Sequence, residues 1–153
     1  MDVAIRPLTA ADRAAWLEMR RTLYVREAGD EDTGLAEDID GMLADPAWGA
    51  FAAEAPDGTL LGFIELYERN HAEGCTTSPV TYIEGIWVAP PWRRRGIARR
   101  LLRAGIAWGR ARGRKEIASD VQLPNLVSQA VHSRFGFEET ERLVTYRMDI
   151  PNG

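Results

Sequence analysis

The stretch Arg93-Arg94-Arg95-Gly96-Ile97-Ala98 is the part of this chain most plainly composed for chemistry. It follows the branched and aromatic run Tyr82-Ile83-Glu84-Gly85-Ile86-Trp87-Val88 and the breakers Pro90-Pro91, and it leads into the clearest helical pattern in the sequence. A strand that turns through glycine into a helix presents backbone N–H groups with no intrahelical partner. With the positive end of the helix dipole, those donors form a pocket for phosphate. Gly96 leaves room for a close approach, Ala98 keeps the second position small, and three consecutive arginines add charge nearby. No Gly-Lys-Ser/Thr follows, so the stretch is not a Walker loop, and the three-glycine dinucleotide fingerprint is missing. Other chemistries find little support. His71, His132 and the single Cys75 do not make a metal site, Cys75 has no histidine at catalytic spacing, and no Gly-x-Ser-x-Gly occurs.

Positioning that loop requires elements on either side of it. Residues 2–6 alternate polar and apolar, as a short half-buried strand does. Thr9 offers an N-cap for an amphipathic helix from Ala10 to about Arg26, which Gly29 ends before the acidic Asp30-Glu31-Asp32. A second helix is expected over Leu35–Ala44, ahead of Pro46. Residues 49–55 and 60–68 read as two strands about the turn Pro56-Asp57-Gly58. A long strand follows over Thr81–Val88, and Glu84, Ile86 and Val88 are expected on one face of it. The pattern then predicts a helix over Ile97–Arg112, a short strand at Glu116–Asp120, a helix over Pro124–Arg134 and a terminal strand or hairpin over Glu138–Asp149. The order β-α-α-β-β-β-α-β-α-β describes an α/β fold with a mixed sheet, and 153 residues suit a single domain over 1–153.

Charge is unevenly spread. The chain carries 19 Lys and Arg against 23 Asp and Glu. The segment from Arg93 to Lys115 holds 10 of the basic residues and no acid, which leaves 9 basic and 23 acidic residues elsewhere, a net of −14. One surface is therefore suited to an anion and another to a cation, unlike a uniformly basic nucleic-acid binder. No apolar run approaches a membrane span and no signal-like N-terminus is present, so a cytoplasmic protein is expected.

The Arg/Gln-x-x-Gly-x-Gly/Ala pattern between a strand and a helix resembles the acetyl-CoA pyrophosphate loop of the GCN5-related N-acetyltransferase (GNAT) superfamily. More specific strings narrow the likeness: Gly74-Cys75-Thr76-Thr77-Ser78-Pro79-Val80, Glu84-Gly85-Ile86, Trp108-Gly109, Ala118-Ser119-Asp120, Asn125, Ser128-Gln129, Val131-His132 and Gly136-Phe137-Glu138-Glu139-Thr140-Glu141-Arg142, ending in Tyr146-Arg147. From about Gly74 to Arg147 the chain is similar to aminoglycoside 6'-N-acetyltransferases. Before Gly74 mainly Leu23-Tyr24 and Gly62-Phe63 fit.

Acetyl transfer to an amine needs the amine neutral, the thioester carbonyl polarised and the thiolate able to leave. The resemblance implies Asp120 as general base and Glu84 as a second acid, either a base or an electrostatic anchor for the substrate. Ile86, Trp87 and Val88 would bind the pantetheine through their backbone, with the Val88 N–H polarising the carbonyl. Arg93, Arg94, Arg95, Gly96, Ile97, Ala98 and Arg99 would surround the pyrophosphate, and Asn125 either contacts the cofactor or is only an N-cap, two roles that are compatible. Glu141 is either an acidic substrate contact or part of a solvated terminal strand. Tyr24 is either a lining of the sugar site or an ordinary helix aromatic, and Tyr146 either protonates the thiolate or is core. His71 stands where some relatives carry a sugar-stacking tyrosine, so its part is reduced to a hydrogen bond. The implied function is transfer of acetyl from acetyl-CoA to an aminoglycoside 6'-amine, conferring resistance, in a homodimer that pairs through its C-terminal strand and needs no metal. Two alternatives differ in kind: an acetyltransferase for a polyamine, peptide N-terminus or other small amine, and a non-enzymatic CoA sensor or Arg-rich nucleic-acid module. The last lacks aromatic residues interleaved with its basic ones.

Overall fold

The computed structural model describes residues 2–24 and 34–153. Arg26, Gly29 and the acidic Asp30-Glu31-Asp32 lie outside the described residues. The chain clusters into two compact units, Met1–Asp120 and Val121–Gly153.

In the first unit, β1 (Ala4–Pro7), β2 (Trp48–Glu54), β3 (Leu60–Arg69) and β4 (Val80–Val88) follow one another antiparallel, and β5 (Ile117–Ala118) adds parallel to β4. The β2–β3 turn forms where the breakers predict it. Gly58 takes φ 88°, and Asp57 Oδ1 accepts from the Thr59 N–H at 3.0 Å. Helix α1 (Arg13–Tyr24) is entered through a 3₁₀ turn, Ala10–Asp12, where Asp12 accepts from the Thr9 N–H at 2.8 Å. Helix α2 occupies Leu35–Ala44, as the sequence predicts, and α3 occupies Ile97–Ala111.

The two faces of the sheet are covered by different helices. Phe63 of β3 and Ala52 of β2 pack with Trp16 and Met19 of α1 and Ile39 and Met42 of α2. The alternate residues Ile64 and Leu66 lie against Gly105 of α3. A methyl group on Gly105 would come within 3.0 Å of Leu66, and one on Gly109 within 2.3 Å of Thr81 Oγ1, so glycines four residues apart let α3 sit close on the strands. Among the described residues no helix is long and apolar enough to cross a membrane.

The second unit contains α4 (Leu126–Phe135), capped by Asn125, whose side chain accepts from the Ser128 N–H at 3.0 Å, and ended by Gly136 at φ 98°. The strand expected over Glu138–Asp149 does not form; residues 138–153 have no regular structure. The alternation that suggested it is real: Val144, Tyr146, Met148 and Ile150 recur at every second position. They are nevertheless 76–91% exposed. A strand is stabilised by its neighbour's hydrogen bonds and side chains, and among the described residues this segment is paired with none.

Candidate active site

The sheet opens at β4. β5 pairs with it at only two positions, Thr81 with Ile117 and Tyr82 with Ala118, and beyond Tyr82 no described strand lies on that edge. The Ala89 N–H bonds to the Leu61 carbonyl at 2.8 Å, which sets the ladder's phase. Alternation then turns the N–H groups of Ile86 and Val88 towards the edge β5 leaves, while Trp87 spends its backbone on Phe63. Of the three residues expected to offer backbone bonds there, Trp87 therefore does not.

β4 also carries a bulge. Ile83 faces Leu66 and Gly85 faces Glu65, so Glu84 is the extra residue. The expectation that Glu84, Ile86 and Val88 share a face fails for this reason. Ile86 pairs with Ile64 on the α3 side, whereas Trp87 packs on Phe63 and Glu84 lies beside Tyr82, on the α1 and α2 side. One inserted residue moves an acid from the alternation's face to the opposite one.

Two residues not singled out by the sequence hold the acids. Arg69, the last residue of β3, donates from Nε to Glu84 Oε1 at 2.7 Å and from a terminal nitrogen to Oε2 at 2.8 Å. Its guanidinium lies 3.5 Å from the ring centroid of Tyr82. Tyr82 in turn donates its hydroxyl to Asp120 Oδ2 at 2.5 Å. Burial, and then the bond to Asp120, push the Tyr82 phenol well above its usual range, so it remains a donor at any working pH. The only sequence signal was position: Tyr82 stands two residues before Glu84 in the same strand.

Behind the bulge lies a buried polar cluster. Glu65, 1% exposed, accepts from Trp16 Nε1 at 2.8 Å and from the Tyr24 hydroxyl at 3.2 Å, and it forms an ion pair with Arg20. Arg20 also reaches Asp38 of α2 at 3.1 Å. The Tyr24 hydroxyl lies so close to Gly85 that a Cβ there would meet it at 2.1 Å. Burial, followed by the Glu65 charge, raises the Tyr24 phenol. Its hydroxyl is thus committed to fastening α1 onto the bulge.

The arginine loop leaves β4 through a 3₁₀ turn at Pro90–Trp92 and enters α3 through two left-handed residues, Arg94 at φ 62° and Gly96 at φ 79°. A Cβ on Gly96 would meet nothing within 4 Å, so its requirement is conformational. Arg93 turns back to donate to the Val88 carbonyl at 2.8 Å, and Arg95 lies 4.9 Å over Trp92. The helix begins with the N–H groups of Ile97 and Ala98, which precede the first possible intrahelical bond; that bond runs from Arg100 to Gly96.

His71 is exposed in the loop after β3. Asn125, Glu141 and Tyr146 belong to the second unit, where Asn125 caps α4 and Glu141 and Tyr146 are exposed, Tyr146 by 91%. Burial and Glu116 raise the Cys75 thiol, which disfavours a nucleophilic thiolate.

An open sheet edge lined by two amides and a glycine-led helix start beside arginines can hold an extended ligand with an anionic end, and the acids at the edge can hold a cation. Residues 13–137 match the acetyltransferase (GNAT) family model, and the chain belongs to that family. It is 41% identical to an aminoglycoside N(6')-acetyltransferase type 1 of Stenotrophomonas maltophilia over 147 residues, 95% of this chain and 93% of that one. It is 40% identical to the protein of the same name from Klebsiella aerogenes, covering 95% and 96%. Among solved structures, AAC(6')-Iy in complex with the bisubstrate analogue CoA-S-monomethyl-acetylneamine superposes with a TM-score of 0.90 at 36% identity, covering 98% of this chain and 100% of that one. AAC(6')-Ih from Acinetobacter baumannii superposes with a TM-score of 0.89 at 29% identity, covering 98% and 100%.

Proposed function

We propose that this chain transfers the acetyl group of acetyl-CoA to the 6'-amino group of aminoglycosides by direct attack, and so confers resistance to them. The observation that carries the reading is the parting of β4 from β5 after two residue pairs, with Glu84 and Asp120 held beside the opening. Relatives named for this reaction, at 41% and 40% identity over nearly the whole chain, support the acceptor.

In this mechanism the coenzyme's diphosphate is held by the N–H groups at the start of α3 and by the loop from Arg93 to Arg99. Its pantetheine arm runs along the open edge of β4, bonded by Ile86 and Val88, and the Val88 N–H stabilises the oxyanion that develops on the thioester carbonyl. Acids attract the ammonium, and Asp120 collects its proton directly or through one water. The neutral amine attacks the carbonyl carbon, the C–N bond forms as the C–S bond breaks, Tyr146 donates a proton to the departing thiolate, and the proton the new amide nitrogen sheds returns to Tyr146 through water. Asn125 contributes a cofactor contact, and Glu141, with His71 and the ring of Tyr24, contacts the polycationic acceptor. Both units act as one domain, in keeping with a family match that runs across them. Two chains associate through the exposed alternating segment from Leu143 to Ile150, which supplies the second strand each lacks. Dependence on acetyl-CoA suits the cytoplasm.

The test is acetyl-CoA-dependent thiol release across an aminoglycoside panel that includes drugs without a free 6'-amine. Turnover confined to 6'-amino drugs is expected. A kcat/KM for kanamycin or tobramycin no better than for a generic amine would reject the acceptor and leave the fold untouched.

A further inference from the structure

Glu84 lies at the bulge of β4 and Asp120 two residues beyond β5, and their side chains have three and two torsions free to wander. Catalytic geometry tolerates about half an ångström of such drift. The fold answers with two side chains. Arg69 grips both oxygens of Glu84, at 2.7 and 2.8 Å, and Tyr82, 4% exposed, delivers its hydroxyl to Asp120 at 2.5 Å. The guanidinium also stacks on the Tyr82 ring at 3.5 Å, so neither grip is independent of the other.

We propose that Arg69 and Tyr82 are positioning residues that fix the carboxylates of Glu84 and Asp120 as one rigid pair facing the acceptor amine. The proposal rests on the reading of those two acids as the groups that receive the amine. Each carboxylate oxygen has two lone pairs. The fork consumes one on each oxygen of Glu84, and the phenol one on Asp120, so both acids keep capacity for an ammonium. Charge agrees as well. Two carboxylates and one guanidinium sum to a single negative charge, which one arriving ammonium balances.

Tyr82→Phe retains the ring, the stack and the apolar contacts and removes only the donor to Asp120. It is expected to lower kcat about tenfold, with KM for acetyl-CoA within about twofold of wild type and the melting temperature nearly unchanged. Arg69→Lys retains the charge but loses the fork and the flat stack, and a comparable loss in kcat/KM for the acceptor is expected without rescue. The double variant should lose less than the product of the single losses, because the two grips are coupled. Wild-type kcat in Tyr82→Phe, or full activity in Arg69→Lys, would overturn the proposal. So would a lower acceptor KM in Arg69→Gln, which would make Arg69 a competitor for the ammonium site. The variants are compared on whichever amine the wild-type enzyme acetylates. A wrong acceptor class thus shows in the wild-type panel alone, and a failed clamp shows only in the variant ratios.

Discussion

Asp120 is exposed and, among the described residues, its carboxylate accepts a hydrogen bond from Tyr82, so its removal tests chemistry with little effect on folding. Asp120→Asn is expected to reduce kcat about a hundredfold, the usual worth of a general base, with the urea midpoint within a few tenths molar of wild type. Comparable losses of stability and turnover would instead make Asp120 a structural residue. Glu68 behaves oppositely, since its carboxylate serves the fold. Its bonds to Arg112 at 2.9 Å and Arg114 at 2.7 Å lower its pKa from 4.5 to about 2. Between those values the unfolded chain binds a proton that the folded chain does not. The contribution of Glu68 is therefore complete above pH 4.5 and disappears as pH falls through about 2. Urea titrations at pH 7, 4 and 3 should show this acid loss, and Glu68→Gln should flatten part of it.

Contacts between elements set what α3 can be. Gly109 admits Thr81 so closely that a methyl group would meet its hydroxyl at 2.3 Å. Gly109→Ala is expected to cost about 1–3 kcal/mol through overpacking, despite alanine's better helix propensity, and a calorimetric melting temperature equal to wild type would contradict the close approach. Thr81 Oγ1 is itself buried with no hydrogen-bond partner among the described residues. Thr81→Val removes that unsatisfied oxygen at nearly constant shape, so the melting temperature should hold or rise. The bulge at Glu84 works at the same scale: it turns an acid to the face covered by α1 and α2, where Arg69 and Tyr82 can reach it.

For the whole molecule, the telling feature is the segment from Leu143 to Ile150. Its apolar side chains alternate as in a half-buried strand, and they stand exposed in the single chain. Burying such a row is worth roughly 25 cal/mol for each Å² removed from water, which favours association over solvation. Sedimentation equilibrium is expected to give twice the chain mass, and a chain truncated after Arg142 the mass of one. A full-length chain that sediments as a monomer at micromolar concentration would remove the basis for the paired assembly.

Much of this protein can be read from local sequence. Pro46 and the apolar spacing bound α2, the breakers at Pro56-Asp57-Gly58 place the first hairpin, and Gly96 between a strand and an amphipathic run marks the start of α3. These are decisions of backbone torsion and side-chain period, and residues within one or two turns of each other carry them. The register slip that turns Glu84, the fork from Arg69, the phenol on Asp120 and the missing neighbour of the C-terminal segment are not of that kind. Each depends on residues 15 to 38 positions apart, or on a partner strand that is absent among the described residues. Only the packed sheet brings such groups within hydrogen-bond range, because a period-two pattern names the faces of a strand but neither its register nor its partner.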